Sequence, residues 1–122
     1  MSTPLETLVD SHLAAYCEPD PDARRAAIAQ LWHAEGRLVD PPLAASGHDG
    51  IHAQAGQLLQ HFPGHRFVRT TPVDGHHEFA RYGWALRDPA GAEVLRGTDV
   101  VTLDVDGRLM KVVGFFENAP PA

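Results

Sequence analysis

Two periods divide this chain. Up to about residue 62 apolar residues recur every three to four positions, the spacing of one helix face; beyond it they alternate, the spacing of a pleated strand. Thr3-Pro4-Leu5-Glu6 reads as a capping box with proline at the first helical position, and Leu5, Leu8, Val9, His12, Leu13 and Tyr16 form one stripe through about Tyr16. Asp20-Pro21 opens a second helix with Ala27, Ile28, Leu31 and Trp32 on its apolar side, ending near Gly36. Gly36 to Asp40 reads as a short strand stopped by Pro41-Pro42, and a third helix follows Asp49-Gly50 until Pro63-Gly64 breaks it. Strands alone follow, over His65 to about Thr71, Glu78 to Arg87, Glu93 to Val105 and Arg108 to Glu117. Helices first and an antiparallel sheet afterwards predict an α+β fold. The pattern fits a single domain over 1–122, with a short tail from Asn118 to Ala122.

One strand breaks its own pattern. On Val94 to Val105 one face carries Leu95, Gly97, Asp99, Val101, Leu103 and Val105, so Asp99 sits among apolar residues. A carboxylate there must be paired or neutralised, because desolvation disfavours its charge, and this marks Asp99 as a functional candidate. A two-residue hairpin at Asp106-Gly107 sets Asp99 opposite Gly114, Val101 opposite Val112, Leu103 opposite Met110 and Thr102 opposite Lys111. A four-residue turn at Asp88-Pro89-Ala90-Gly91 sets Trp84 beside Leu95, Tyr82 beside Gly97 and Ala80 beside Asp99. Small residues would then flank the carboxylate, leaving a pocket floor rimmed by Tyr82 and Trp84.

Charge and composition narrow the chemistry. The net charge is −6 and the basic residues are scattered, which argues against nucleic acid or an anionic membrane as partner. No apolar run approaches the roughly 18 residues that span a bilayer, and no basic-then-apolar leader opens the sequence, so a cytoplasmic protein is expected. Cys17 is the only cysteine and has no nucleophile signature around it. Among eight histidines no set has the spacing of a zinc site, so no metal is expected. One of the adjacent His76 and His77 should face inward, and His77 is the candidate polar pocket group. There is no phosphate-binding glycine loop, nucleophile elbow or dinucleotide fingerprint, so no cofactor is implied.

The segments Trp32-His33-Ala34-Glu35-Gly36-Arg37-Leu38-Val39-Asp40-Pro41, Phe62-Pro63-Gly64-His65-Arg66-Phe67, His76-His77 with Arg81 and Trp84, and Gly97-Thr98-Asp99-Val100 through Gly114-Phe115-Phe116-Glu117 resemble the SnoaL-like proteins of the nuclear transport factor 2 superfamily. The resemblance implies three helices on a curved antiparallel sheet, together forming a cone that encloses a pocket. It also implies a small apolar ligand or substrate, and a function among isomerases, polyketide cyclases, dehydratases, hydrolases or proteins without activity. Within that superfamily the chain is similar to ketosteroid isomerase, which implies Asp40 as general base and Asp99 as protonated hydrogen-bond donor. By spacing Tyr16 matches the isomerase's oxyanion tyrosine; aligning the first helices by their ends gives that place to Leu13 instead.

Two readings stand. In one, Asp40 moves a proton on a mostly apolar substrate while Asp99 holds the developing oxyanion, within a pocket of Tyr16, Trp32, His77, Tyr82, Trp84, Val101, Gly114 and Phe116. In the other the same pocket serves a ligand-binding or dimerisation module without catalysis. The outer sheet face, with Val100, Val113, Phe115 and Phe79, predicts a symmetric homodimer.

Overall fold

The computed structural model of the chain describes residues 3–41 and 43–117. Its elements run α1 (Pro4–Tyr16), α2 (Pro21–Leu31), β1 (Trp32–Asp40), β2 (Leu43–Ser46), α3 (Gly47–His61), β3 (Arg66–Arg69), β4 (Asp74–His76), β5 (Phe79–Arg87), β6 (Glu93–Leu103) and β7 (Leu109–Phe116). The expected capping box closes α1: the Thr3 hydroxyl accepts from the Glu6 N–H, and the Glu6 carboxylate accepts from the Thr3 N–H. Asp20 caps α2 by accepting from the Ala23 N–H. The proposed tail from Asn118 to Ala122 lies outside the described residues, as does Pro42 of the expected Pro41-Pro42 stop.

Three helices pack on one curved sheet of strand order β2-β1-β7-β6-β5-β3, with β4 beside β5. The sheet is mixed, not purely antiparallel as expected. β1 lies parallel to β7, with Leu38 opposite Val112 and Val39 opposite Val113. Turn signals define sequential hairpins only, and this pairing joins the first long strand to the last. It is also what sets the end of β1, with Asp40, beside Gly114 of β7.

Several elements differ from expectation. α2 ends at Leu31, because Trp32 is already extended and turns its ring into the core. Gly36 is therefore no helix cap. It lies in β1 beneath the indole, where an added Cβ would come within 2.5 Å of Trp32 Cε3. The short strands β2 and β4 had no alternation long enough to mark them, and α3 begins at Gly47 rather than after Gly50.

The two hairpins flanking β6 use one loop twice. In Asp88-Pro89-Ala90-Gly91-Ala92 and Asp104-Val105-Asp106-Gly107-Arg108 the first and fifth residues pair, the glycine takes a left-handed φ of +91° or +82°, and the aspartate side chain accepts two backbone N–H groups. Each is a three-residue loop with a glycine bulge, neither the two-residue nor the four-residue turn expected. After Asp104–Arg108 a further bulge leaves Met110 unpaired and Leu103 opposite Leu109, restoring Asp99 opposite Gly114 and Val101 opposite Val112. On the other side loop and bulge add up to a two-residue shift, so Tyr82 rather than Ala80 faces Asp99, and Trp84 faces Gly97. Two residues preserve the face.

The core between helices and sheet holds Val9, Leu13, Ile28, Trp32, Leu38, Ile51, Ala55, Val101, Leu109 and Val112. Among the described residues no helix is long and apolar enough to cross a membrane.

Candidate active site

Asp40 and Asp99 open into one cavity. β1 ends at Asp40, β6 places Asp99 at its centre, and between them runs β7 with Gly114. A Cβ on Gly114 would lie 3.0 Å from Asp40 Cβ, 3.8 Å from Asp40 Oδ2 and 3.1 Å from Asp99 Oδ1. The two carboxylate oxygens are thus no further apart than the sum of the last two distances. A side chain at 114 would press on both. Glycine is what lets a reacting atom approach them together.

The expected inward placement of Asp99 is observed: it is 7% exposed. The Tyr82 hydroxyl donates to its Oδ2 at 2.7 Å, which leaves Oδ1 as the oxygen on the Gly114 side. Burial pushes its pKa up to about 7; Tyr82 and Trp84 pull the other way, and the charge of Asp40 adds to the rise. The Trp84 indole favours the ionised carboxylate by proximity, but its N–H is buried and falls outside hydrogen-bond geometry. Asp40 is half-buried, with Oδ1 enclosed and unpartnered, and burial raises its pKa to about 6. Among the described residues neither carboxylate has a cationic partner.

The rest of the wall is mostly apolar. Leu13, Tyr16, Leu38, Leu58, Phe67, Leu86, Val112 and Phe116 line it, Leu43 and Phe62 are its exposed members, and His12 is a further polar one. Both Leu13 and Tyr16 stand on the wall, and it is Tyr16 whose phenol feels both aspartates: burial, then the charges of Asp40 and Asp99, drive its pKa upward. The phenol stays protonated, as a donor must. The cavity encloses about 80 Å³, below the ~150 Å³ of a cavity that takes up benzene, so a ring-sized ligand must part the side chains at its mouth.

Of the ten residues singled out from sequence, the structure gathers Asp40, Asp99, Tyr16, Trp84, Gly114 and Phe116 around this cavity. Tyr82 stands behind Asp99 as its hydrogen-bond donor, and Trp32 and Val101 are packed in the core. His77 is elsewhere. It sits exposed in the turn after β4 with φ of +54°, its Nδ1 3.0 Å from that of His76, and neither imidazole faces inward. The strand stops at His76, so alternation does not extend to its neighbour. Cys17 is half-buried: its thiol donates to Leu13 O and accepts from the Phe67 N–H. Among the described residues no cluster of three His, Cys, Asp or Glu could hold a metal.

Among the wall residues not anticipated are His12, Leu58 of α3 and Phe62 just after that helix. His12 carried the same signal as Asp99, a polar residue inside an apolar stripe.

A family model, the SnoaL-like domain, matches residues 9–112. The chain belongs to the SnoaL-like family. A proposed isomerase of that family from Agrobacterium tumefaciens is 42% identical to this SnoaL-like chain, with a TM-score of 0.87 over 92% of this chain and 96% of the other. A proposed SnoaL-like polyketide cyclase from a Jannaschia species is 20% identical, TM-score 0.68, over 96% and 90%. A protein with a ketosteroid isomerase-like fold from Catenulispora acidiphila, solved with trimethylamine, is 13% identical, TM-score 0.75, over 95% and 88%. These last two share the fold alone. No curated protein matches the chain.

Proposed function

We propose that this SnoaL-like protein is an acid–base enzyme of isomerase or cyclase type acting on a small, mostly apolar carbonyl compound. The observation that carries the reading is the meeting of two aspartates at Gly114, in an apolar cavity, with burial raising one pKa to about 6 and the other to about 7. Two like groups held at different pKa values can divide acid and base roles. Near neutrality Asp40 is the group more often ionised, and it takes a proton from the carbon beside the substrate carbonyl. The C–H electron pair moves into a new C=C bond as charge develops on the carbonyl oxygen. Asp99, protonated on Oδ1, and the Tyr16 hydroxyl donate hydrogen bonds to that oxygen. Return of the proton to a different carbon completes an isomerisation; attack of the enolate on a second carbonyl completes a cyclisation. The Agrobacterium relative, itself a proposed isomerase, supports the first outcome.

The test is conversion of cyclohex-3-enone to its conjugated isomer, followed by ultraviolet absorbance. The expected result is saturable turnover faster than with acetate at the same concentration of carboxylate. Saturable binding without turnover would overturn the enzyme reading and favour a binding module.

We also propose a symmetric homodimer through the outer sheet face. There Phe79, Val100 and Phe115 are 45%, 40% and 55% exposed, with Val113 half-buried beside Val100. Sedimentation at micromolar concentration should give twice the chain mass of 13.3 kDa, and Phe115→Glu should give the single mass; a monomeric wild type would refute it.

A further inference from the structure

His12 is an unexplained polar group in the cavity wall. It lies on the inner face of α1, is 4% exposed, and stacks edge-on against Trp32 with ring centroids 5.5 Å apart. Neither ring nitrogen has a hydrogen-bond partner among the described residues, yet the ring lines the cavity. A leucine at that place in the Leu8, Val9, Leu13, Tyr16 stripe would fill the wall without polar atoms, so the imidazole gives the cavity a hydrogen-bonding capacity that packing does not require. The other unpartnered atoms of the cavity, Asp40 Oδ1 and the Trp84 indole N–H, belong to the side chains of the proposed site. His12 stands apart from them.

Its position gives the spacing. His12 precedes Tyr16 by four residues, about one helical turn and ~6 Å along the axis, on the same face. The charges of Asp40 and Asp99 act on Tyr16, whereas burial alone acts on His12, holding its pKa down to about 4 and the ring neutral. A neutral imidazole offers one donor and one acceptor. The His12 and Tyr16 rings have centroids 6.2 Å apart, so the cavity wall carries two polar groups one helical turn from each other: Tyr16 with the aspartates, and His12.

We propose that His12 is a substrate-binding residue that hydrogen-bonds a second oxygen function, so the substrate of this site is a ring-sized molecule bearing a carbonyl at one end and a hydroxyl or carbonyl across from it. The proposal rests on the reading of the cavity as a substrate site. Two oxygens placed 1,4 on a six-membered ring match one turn of helix.

The experiment measures binding of cyclohexanone and of 4-hydroxycyclohexanone by NMR titration to wild type, His12→Leu and His12→Gln, with unfolding midpoints taken in parallel. For wild type the two-oxygen probe should bind about tenfold tighter, the worth of one good hydrogen bond, and the ¹⁵N signals of the His12 ring should move only with that probe. His12→Leu should abolish the preference while binding cyclohexanone as before and melting close to wild type, since leucine continues the apolar stripe of α1. His12→Gln, which keeps a donor and an acceptor, should restore part of the preference. Equal affinity of wild type for both probes overturns the assignment of His12 and leaves the substrate site standing, as does equal weakening of both by His12→Leu. Failure of wild type to bind either probe overturns both.

Discussion

Asp99→Asn should gain stability relative to wild type as pH rises, with the gap opening by on the order of 3 kcal/mol between pH 4 and pH 8. In the folded wild type Asp99 titrates at about 7 against an ordinary value of 3.8. Between those values the folded state holds a proton that the unfolded chain has released. Stability therefore falls as pH rises through this window and levels off above 7. Asparagine has no such titration, and its amide oxygen can still accept from Tyr82. Near pH 4 the two proteins should thus be close in stability. Chemical denaturation at pH 4, 6 and 8 checks this. A constant gap, or an Asn variant less stable at pH 8, would mean an ionised Asp99 with a buried cationic partner, whose loss costs about 3–5 kcal/mol, and the hydrogen-bond-donor role would fall with it.

Much of the fold is local and was legible for that reason. The capping box at Thr3, the Asp20-Pro21 start and the alternation along β6 are all decided within a few residues. What escaped is non-local or subtle in backbone geometry. The parallel pairing of β1 with β7 joins strands with most of the chain between them. The three-residue loops at Asp88 and Asp104 differ from shorter or longer turns only in which carbonyl meets which N–H. Asp99 reached Gly114 because a loop one residue longer was offset by a bulge one residue wide, so the register was correct although the turn was not.

The candidate site divides the same way. Asp99 declared itself by breaking a period-two pattern, and Asp40 by resemblance to a proton-shuttling aspartate; the structure brings both to one cavity. Tyr82 was expected at the rim and lies behind the carboxylate instead, a direct result of the two-residue shift between β5 and β6. His77 was expected inward on the premise that His76-His77 lies within a strand, and the chain turns there. His12 was missed although it interrupts the apolar stripe of α1 as Asp99 interrupts that of β6. The exposed Leu43 and Phe62 on the cavity wall come from β2 and the end of α3, and only the packed fold places them beside the sheet.

Asp40→Asn should lower kcat for isomerisation of cyclohex-3-enone by about 10²- to 10⁴-fold, the usual worth of a positioned general base, with far less effect on affinity. The amide keeps the size and polarity of the side chain but cannot accept a proton from carbon. The pH profile makes the assignment specific. With Asp40 required ionised and Asp99 required protonated, wild-type kcat/KM should rise through about pH 6 and fall above about pH 7, a narrow bell set by the two raised values. Removing the carboxyl at 40 should erase the acid limb of any residual rate, and Asp99→Asn should erase the alkaline limb while costing less in rate, because an amide N–H still donates to the oxyanion. If Asp40→Asn retains the rate, or if both limbs survive it, the proton is moved by another group and Asp40 is only part of the wall.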